Sequence, residues 1–211
     1  MKLFQSSTTP RQLWRILTPK DRGLIMVAMA AAGMLWLAGL PPVETLLLVL
    51  LAGSVVTIAL CDLRHRIIPD LISLPLVAAG IGFTAFQGRE MLLAHAATAA
   101  VAAALLLALR AGHYRLRQRT GFGLGDIKLV TAAAAWIGPL YLANYILLSA
   151  LSALGHVVIR RSDRDPRGIP FGVPLALWLW VFAVFMALQN GSDDVSDLGR
   201  HLCAEVDLLA F

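Results

Sequence analysis

The sequence is poor in charge and in cysteine. Only 15% of its 211 residues are Asp, Glu, Lys or Arg, whereas 58% are hydrophobic. Soluble domains carry about 25% charged residues, so this composition excludes an ordinary soluble globular fold. The two cysteines, Cys61 and Cys203, lie on opposite faces of the membrane in the topology derived below, which excludes a disulfide between them.

The sequence also lacks the patterns of metal and nucleic-acid sites. Its five histidines are scattered without metal-ligand spacing, and it contains no CxxC motif, so we expect no metal and no cofactor. The net charge of +5 is not arranged as a basic stripe interleaved with aromatic residues, so nucleic acid is not an expected partner. The positive charge is better interpreted as a signal of membrane topology.

Long apolar runs dominate the sequence. Most reach the roughly 17–25 residues that a spanning helix requires, although one of them, 127–138, is short. The sequence therefore predicts an all-α polytopic membrane protein with about seven transmembrane helices, six or eight also being possible. The runs cover residues 23–40, 43–60, 71–87, 91–109, 127–138, 140–159 and 172–188.

The basic residues predict the orientation of these helices. With a cytoplasmic N-terminus, all of the 18 Lys and Arg residues except Arg89 and Arg200 fall on the cytoplasmic side, as the positive-inside rule requires. The predicted parts are then a cytoplasmic segment 1–22, a transmembrane domain 23–188 and a polar, external tail 189–211. Trp136 and Tyr141 flank the turn at Gly138 and predict an aromatic belt at the outer interface.

Two short polar motifs lie where apolar helices are expected to meet water. Asp62 follows the run that ends at Leu60, and Asp126 precedes the run that starts at Ile127. The two chain segments run in opposite directions, so both carboxylates are expected at the cytoplasmic membrane face. An Asp near hydrocarbon is costly, roughly 2.5–3.5 kcal/mol at a helix centre, which indicates a function.

Paired carboxylates suit aspartyl proteolysis, in which one group acts as a base on water and the other donates a proton to the substrate carbonyl. Glycines at 121, 123 and 125 leave the chain before Asp126 flexible and allow a substrate backbone to approach closely. Spacing and residue type alone equally allow that Asp62 and Asp126 are two separate, solvated charges with no shared function.

Three segments together resemble one known family. The stretch from Asp62 to Asp70 and the motif Gly123-Leu124-Gly125-Asp126 are similar to the two active-site motifs of the type IV prepilin peptidases, membrane aspartyl proteases of the GxGD class. The segment 168–176, GIPFGVPLA, resembles the Pro-Phe-Gly stretch that precedes the last core helix of that family. The resemblance extends over roughly residues 45–188.

The resemblance implies roles for particular residues. Asp62 and Asp126 match the catalytic aspartates, whereas Asp70 matches a position that can be Asn in the family and is therefore not expected to be catalytic. Lys128 either supports the site electrostatically or anchors the topology by snorkelling. The remaining motif positions either shape the cleft or form structural turns; they are Pro69, Gly123, Gly125, Pro170, Phe171 and Gly172.

The implied activity is removal of the short basic leader of a prepilin or pseudopilin at the cytoplasmic face of the bacterial inner membrane. Larger family members carry CxxC motifs and also N-methylate the trimmed pilin; without such motifs, we expect a short, peptidase-only form similar to those that serve tight-adherence pili, with methylation left open. Two other functions stay open: a noncatalytic scaffold of a pilus or secretion assembly, and a small proton-coupled transporter. The oligomeric state is not predicted.

Overall fold

The computed structural model of the chain describes residues 16–117, 123–159 and 170–189, together with Thr9, Pro10 and Leu13. Within these residues the regular structure is entirely helical, which confirms the all-α class. A short 3-10 helix, Met34–Ala38, follows the first α-helix. The α-helices are α1 (Pro19–Gly33), α2 (Pro42–His65), α3 (Asp70–Gln87), α4 (Arg89–Arg117), α5 (Leu124–Ile159) and α6 (Gly172–Gln189).

Five of these helices, α2 to α6, are long and apolar enough to cross a membrane, which makes the chain a multi-pass membrane protein. The count of seven spans is not confirmed. The α-helix in the region of the first apolar run is only 15 residues long, Pro19–Gly33, before it tightens into the 3-10 turn at Met34. The runs 127–138 and 140–159 both lie within α5. The polar tail falls outside the described residues.

Helix α5 consists of two arms that reverse direction at Gly138. This glycine has φ 64° and ψ −169°, and Pro139 follows it, so the α-helical hydrogen-bond pattern cannot continue. Tyr145 lies within electrostatic reach of Asp126, although 19 residues of straight helix would separate them by about 28 Å. The break between the two predicted runs is therefore present, as a hairpin inside one continuous element.

The second arm of α5 packs antiparallel to α6. At one end the Tyr141 hydroxyl donates to Gln189 Oε1 at 3.1 Å, and farther along Trp178 Nε1 donates to Ser152 Oγ at 2.8 Å. Because Tyr141 follows the turn while Gln189 ends α6, the start of α6 lies at the far end of the arm. That far end is the end of the bundle at which Asp126 begins the first arm.

The first arm of α5 packs against α3, and Trp136 is the centre of this contact. Its ring is 6% exposed, its Nε1 donates to the Leu76 carbonyl at 2.8 Å, and it stacks on Phe83 with 5.8 Å between ring centroids. The predicted interfacial belt is thus wrong for Trp136, because the backbone carbonyl of Leu76 satisfies the indole N–H inside the bundle. A Cβ on Gly80 would lie 2.7 Å from the same ring.

We predict that Gly138→Ala destabilises the protein by at least about 1–2 kcal/mol, the usual penalty for a Cβ in the left-handed region. The new Cβ would also lie 2.4 Å from Nε2 of His95, whose Nδ1 is 3.0 Å from the Ala135 carbonyl oxygen. Thermal unfolding in detergent checks this. The matched control is Gly82→Ala, where a Cβ meets nothing within 4 Å; equal melting temperatures for both variants would contradict the hairpin at Gly138.

Candidate active site

Asp62 lies in the last turn of α2 and is 6% exposed. The start of α6 covers it: the backbone amides of Gly172 and Val173 face the carboxylate and stabilise its negative charge. A Cβ on Gly172 would lie 3.0 Å from the Asp62 Cγ and Oδ2 atoms, so any larger residue at 172 would push against the carboxylate. Within the described part of the chain, the buried Oδ2 atom has no hydrogen-bond partner.

The chain breaks sharply after Asp62. Arg66 adopts φ 56°, a left-handed conformation that is uncommon outside glycine, and its N–H donates to the Asp62 carbonyl at 3.0 Å. Pro69 then fixes the entry into α3 and is fully buried. The Arg66 guanidinium is also near enough to interact electrostatically with the Asp62 carboxylate. The turn 66–69 therefore ends α2 directly beside the buried acid.

Asp126 lies in the first turn of α5 and is partly exposed. Its carboxylate folds back over Gly123, where a Cβ would lie 2.9 Å from Oδ2 and where the backbone N–H faces the acid. The charges of Asp62 and Asp126 interact directly. The structure therefore brings the two carboxylates, 64 residues apart in sequence, to one end of the bundle.

Ile68 joins the three chain segments that carry the site. A Cβ on Gly125 would lie 2.8 Å from the Ile68 Cβ, and one on Gly172 would lie 3.0 Å from the Ile68 Cδ1. The side chain is 6% exposed and belongs to the main hydrophobic core. Ile68 thus packs against the start of α5 and the start of α6 at once, and both helices need a glycine where they touch it.

A second acid at this end has a different environment. Lys128 Nζ donates to Asp70 Oδ1 at 2.6 Å, and both side chains are partly exposed, at 28% and 21%. This ion pair connects the starts of α3 and α5. Asp70 is therefore held by a direct ion pair with Lys128.

Asp21 at the start of α1 forms a further ion pair, with Arg64 near the end of α2. Arg64 Nη2 donates to Asp21 Oδ1 at 2.6 Å, and the Thr18 hydroxyl donates to Oδ2 at 2.7 Å. The Thr18 hydrogen bond is the largest influence that lowers the pKa of Asp21 below its ordinary value, and Arg64 lowers the pKa further against the effect of desolvation. The pair fixes α1 to the site end of α2.

Tyr145 is a buried polar residue near the site that the sequence analysis did not predict. It is fully buried, its hydroxyl donates to the Leu175 carbonyl at 3.1 Å, and it interacts electrostatically with Asp126. Ile68 was also missed as a packing residue. The presence of a tyrosine inside the apolar run 140–159 could have predicted a buried polar role for Tyr145. The role of Ile68 could not be predicted, because it depends on contacts across three segments.

The other predicted motif residues lie at the same end of the bundle. Pro170 is buried, and Phe171 packs on the main core beside the first turn of α6. Among the described residues, no group of three His, Cys, Asp or Glu side chains could hold a metal ion. The chemistry available is therefore that of two neighbouring carboxylates, one deeply buried and one partly open, next to backbone amides.

Comparison with known proteins relates the chain to one family. Residues 49–158, which include both aspartates, match the type IV leader peptidase family. The chain is 32% identical over 173 residues to a prepilin leader peptidase/N-methyltransferase of Pectobacterium carotovorum subsp. carotovorum, covering 80% of this chain and 59% of that protein. It is 31% identical over 155 residues to a protein of the same name from Escherichia coli strain K12, covering 72% and 69%.

A shorter relative, leader peptidase HopD of Escherichia coli, is 30% identical over 135 residues, covering 61% of this chain and 86% of that protein. No solved structure matches the chain. The chain thus belongs to the type IV leader peptidase family, a class of membrane proteases. Against the Pectobacterium relative it spans somewhat more than half of the length.

We predict that Tyr145→Phe lowers stability by about 1 kcal/mol, because it removes a buried hydrogen bond to the Leu175 carbonyl. The matched control is Tyr141→Phe, whose hydroxyl bonds Gln189 at an exposed position and whose loss should change stability less. Melting temperatures of the two variants in the same detergent test the difference. A larger loss for Tyr141→Phe would show that the Tyr145 hydrogen bond contributes little.

Proposed function

We propose that the protein is an aspartyl endopeptidase that removes the leader of type IV prepilin-like substrates, with Asp62 and Asp126 as its catalytic residues. The observation that carries the proposal is the convergence of these two carboxylates at one end of an apolar helical bundle. Membership of the leader peptidase family supports proteolysis, and the names of the relatives supply the substrate class.

The proposed reaction needs one proton shared between the two acids. Like charges in a site poor in water cannot both ionise comfortably, so the pair titrates as a unit. The ionised carboxylate takes a proton from water, whose oxygen forms a bond to the scissile carbonyl carbon, while the other acid gives its proton to the carbonyl oxygen. Collapse of the tetrahedral intermediate breaks the C–N bond as the leaving nitrogen receives a proton.

Three features of the described structure support this chemistry. The amides of Gly172 and Val173 face the Asp62 carboxylate, and its Oδ2, which has no hydrogen-bond partner among the described residues, leaves an acceptor for water or substrate. Asp126 is open enough for a peptide to approach. Asp70 is held by Lys128, so it is a poor candidate for a third catalytic acid.

The distribution of charge supports a cytoplasmic location for the site in the bacterial inner membrane. Basic residues cluster at the helix ends that surround the two aspartates, whereas Arg89 lies at the opposite end, as the first residue of α4. Basic helix ends are retained on the cytoplasmic side during insertion. The proposed substrate would then present its polar leader in the cytoplasm and its apolar segment in the bilayer. The clustered basic residues are Lys20, Arg22, Arg64, Arg66, Arg115 and Lys128.

We predict that Asp62→Asn and Asp126→Asn each abolish leader removal, with a loss of at least about a thousandfold, because an amide cannot exchange the shared proton. Mass spectrometry and N-terminal sequencing of a prepilin in membranes measure the product. Glu90→Gln, in the first turn of α4 at the opposite end, should cleave like wild type. Cleavage by either Asn variant would overturn the dyad, and pilus assembly supported by both variants would favour the scaffold function.

We also predict that Gly172→Ala lowers kcat by up to about tenfold, because the Asp62 carboxylate must shift by a few tenths of an ångström, whereas a displacement of about 1 Å costs about a hundredfold. The added Cβ would lie 3.0 Å from both the Asp62 carboxylate and Ile68, so the carboxylate must move. The control is Gly155→Ala in α5, where a Cβ meets nothing within 4 Å. Unchanged turnover in Gly172→Ala at equal protein levels would show that this approach does not set the position of Asp62.

A further inference from the structure

Arg66 has an unusual backbone conformation for its residue type. It adopts φ 56° and ψ 37°, and among the residues that the structure describes the other positive φ angles all belong to glycines. The left-handed region is unfavourable for a residue with a side chain, so glycine or asparagine is the usual choice at such a helix end. A strained residue of this kind suggests a function that compensates for the strain.

The backbone of Arg66 ends helix α2 immediately after the buried acid. Its N–H donates to the Asp62 carbonyl at 3.0 Å, which satisfies an acceptor in the last turn of the helix. This hydrogen bond uses main-chain atoms alone, so glycine or asparagine at position 66 would form it with less strain. The helix end therefore explains the left-handed conformation, but it does not explain why an arginine adopts it.

The side chain of Arg66 lies close to the acid that the backbone caps. Its guanidinium is within electrostatic reach of the Asp62 carboxylate. The residue as a whole is partly exposed, yet its Nη1 atom is buried. A surface arginine normally keeps its charged end in water, because burial of that charge is costly. Here part of the charged end is withdrawn from water beside a buried carboxylate, where opposite charges attract more strongly than in water.

Two other basic residues near the site are paired with other acids. Arg64 Nη2 donates to Asp21 Oδ1 at 2.6 Å, and Lys128 forms the ion pair that connects the starts of α3 and α5. Of these three cations, Arg66 is the one that acts on the charge of Asp62 in the described part of the chain. The compensation of the buried acid by a cation thus depends on the strained residue.

The two acids of the site have different surroundings. Asp62 faces the Arg66 cation and two backbone amides at the start of α6, whereas Asp126 faces one backbone N–H, that of Gly123. A single negative charge shared by the two acids is therefore stabilised most on Asp62. The shared proton is left on Asp126, which is the more exposed of the two acids.

We propose that Arg66 is a positioning residue of the catalytic pair, whose guanidinium holds the Asp62 carboxylate in place and keeps the shared negative charge on it. This inference rests on the proposed peptidase function and assigns a role to each acid. Asp62 is the base that takes a proton from water, and Asp126 is the acid that gives its proton to the scissile carbonyl oxygen. The strained backbone is retained because glycine or asparagine would supply the helix end without the charge.

The first test separates the charge of Arg66 from its backbone role. Arg66→Asn and Arg66→Gly keep the helix end and remove the cation, so kcat for a prepilin should fall by about tenfold or more, with KM changed less. Arg66→Lys keeps both the cation and the strain, and its kcat should stay within about threefold of wild type. Wild-type kcat in Arg66→Asn and Arg66→Gly would overturn the proposal, as would an Arg66→Lys protein as slow as Arg66→Asn.

The second test measures the pairing without a substrate. In a double-mutant cycle, melting temperatures in detergent at about pH 8 are compared for wild type, Arg66→Asn, Asp62→Asn and the double variant. Arg66→Asn should lower the melting temperature by at least about 3 °C more in the wild-type background than in the Asp62→Asn background, because only the former contains the pair. Equal shifts in the two backgrounds would overturn the proposal.

The matched control for this cycle is Arg64→Asn, which removes an arginine two residues away whose partner is Asp21. Its effect on the melting temperature should be the same with and without the Asp62 carboxylate. A coupling as large as that of Arg66→Asn would show a general effect of positive charge at this end of α2 and would also overturn the assignment to Arg66.

Because the cycle needs no turnover, it separates the failure of this proposal from the failure of the proposed function. Coupling between residues 66 and 62 without cleavage of a prepilin would contradict the peptidase function and still support the pairing. Cleavage that requires both acids, without coupling between residues 66 and 62, would overturn the role of Arg66 and leave the peptidase proposal standing.

Discussion

The organisation of this protein depends on holding the Asp62 carboxylate in a nearly closed site at the end of an apolar bundle. An isolated buried carboxylate is penalised by several kcal/mol unless dipoles or charges compensate. Here the compensation comes from backbone amides at the start of α6 and from the nearby Arg66 guanidinium. The absence of a side chain at residue 172 lets these backbone amides approach the carboxylate without a steric contact.

The positions at which the helices end or reverse also help to hold the Asp62 carboxylate in place. Arg66 in the left-handed region and Pro69 stop α2 immediately after the acid and start α3 beside it. Gly138 reverses α5, so that Tyr145 returns to within electrostatic reach of Asp126 and bonds the carbonyl of Leu175 in α6. Ile68 then packs against glycines of two helices. The polar end is thus assembled from residues at helix termini, while the apolar lengths of the helices provide the packing.

Much of this arrangement could be predicted from the sequence. Apolar runs gave α3 and α6 to within one residue at each end, because continuous hydrophobicity of that length is stable in lipid only as a helix. They gave α2 and α4 without their more polar C-terminal ends, which continue to His65 and Arg117. The two aspartates stood out because a carboxylate close to hydrocarbon is costly and because both match motif positions of the resembled family. Runs alone could not show that α1 is short, that α5 is one element with a reversal, or that Trp136 is buried, since these depend on φ angles and on neighbours.

The sequence by itself determined the class of the protein, its helices and the two acids that merit attention, because these follow from local composition and from short motifs. Only the tertiary structure decided that the acids are neighbours, that Lys128 forms an ion pair with Asp70, and that Ile68 packs against Gly125 and Gly172. The physical reason is that electrostatic pairing, steric approach and grooves exist between segments. A linear pattern specifies each segment, and the packing of all of them specifies which atoms meet.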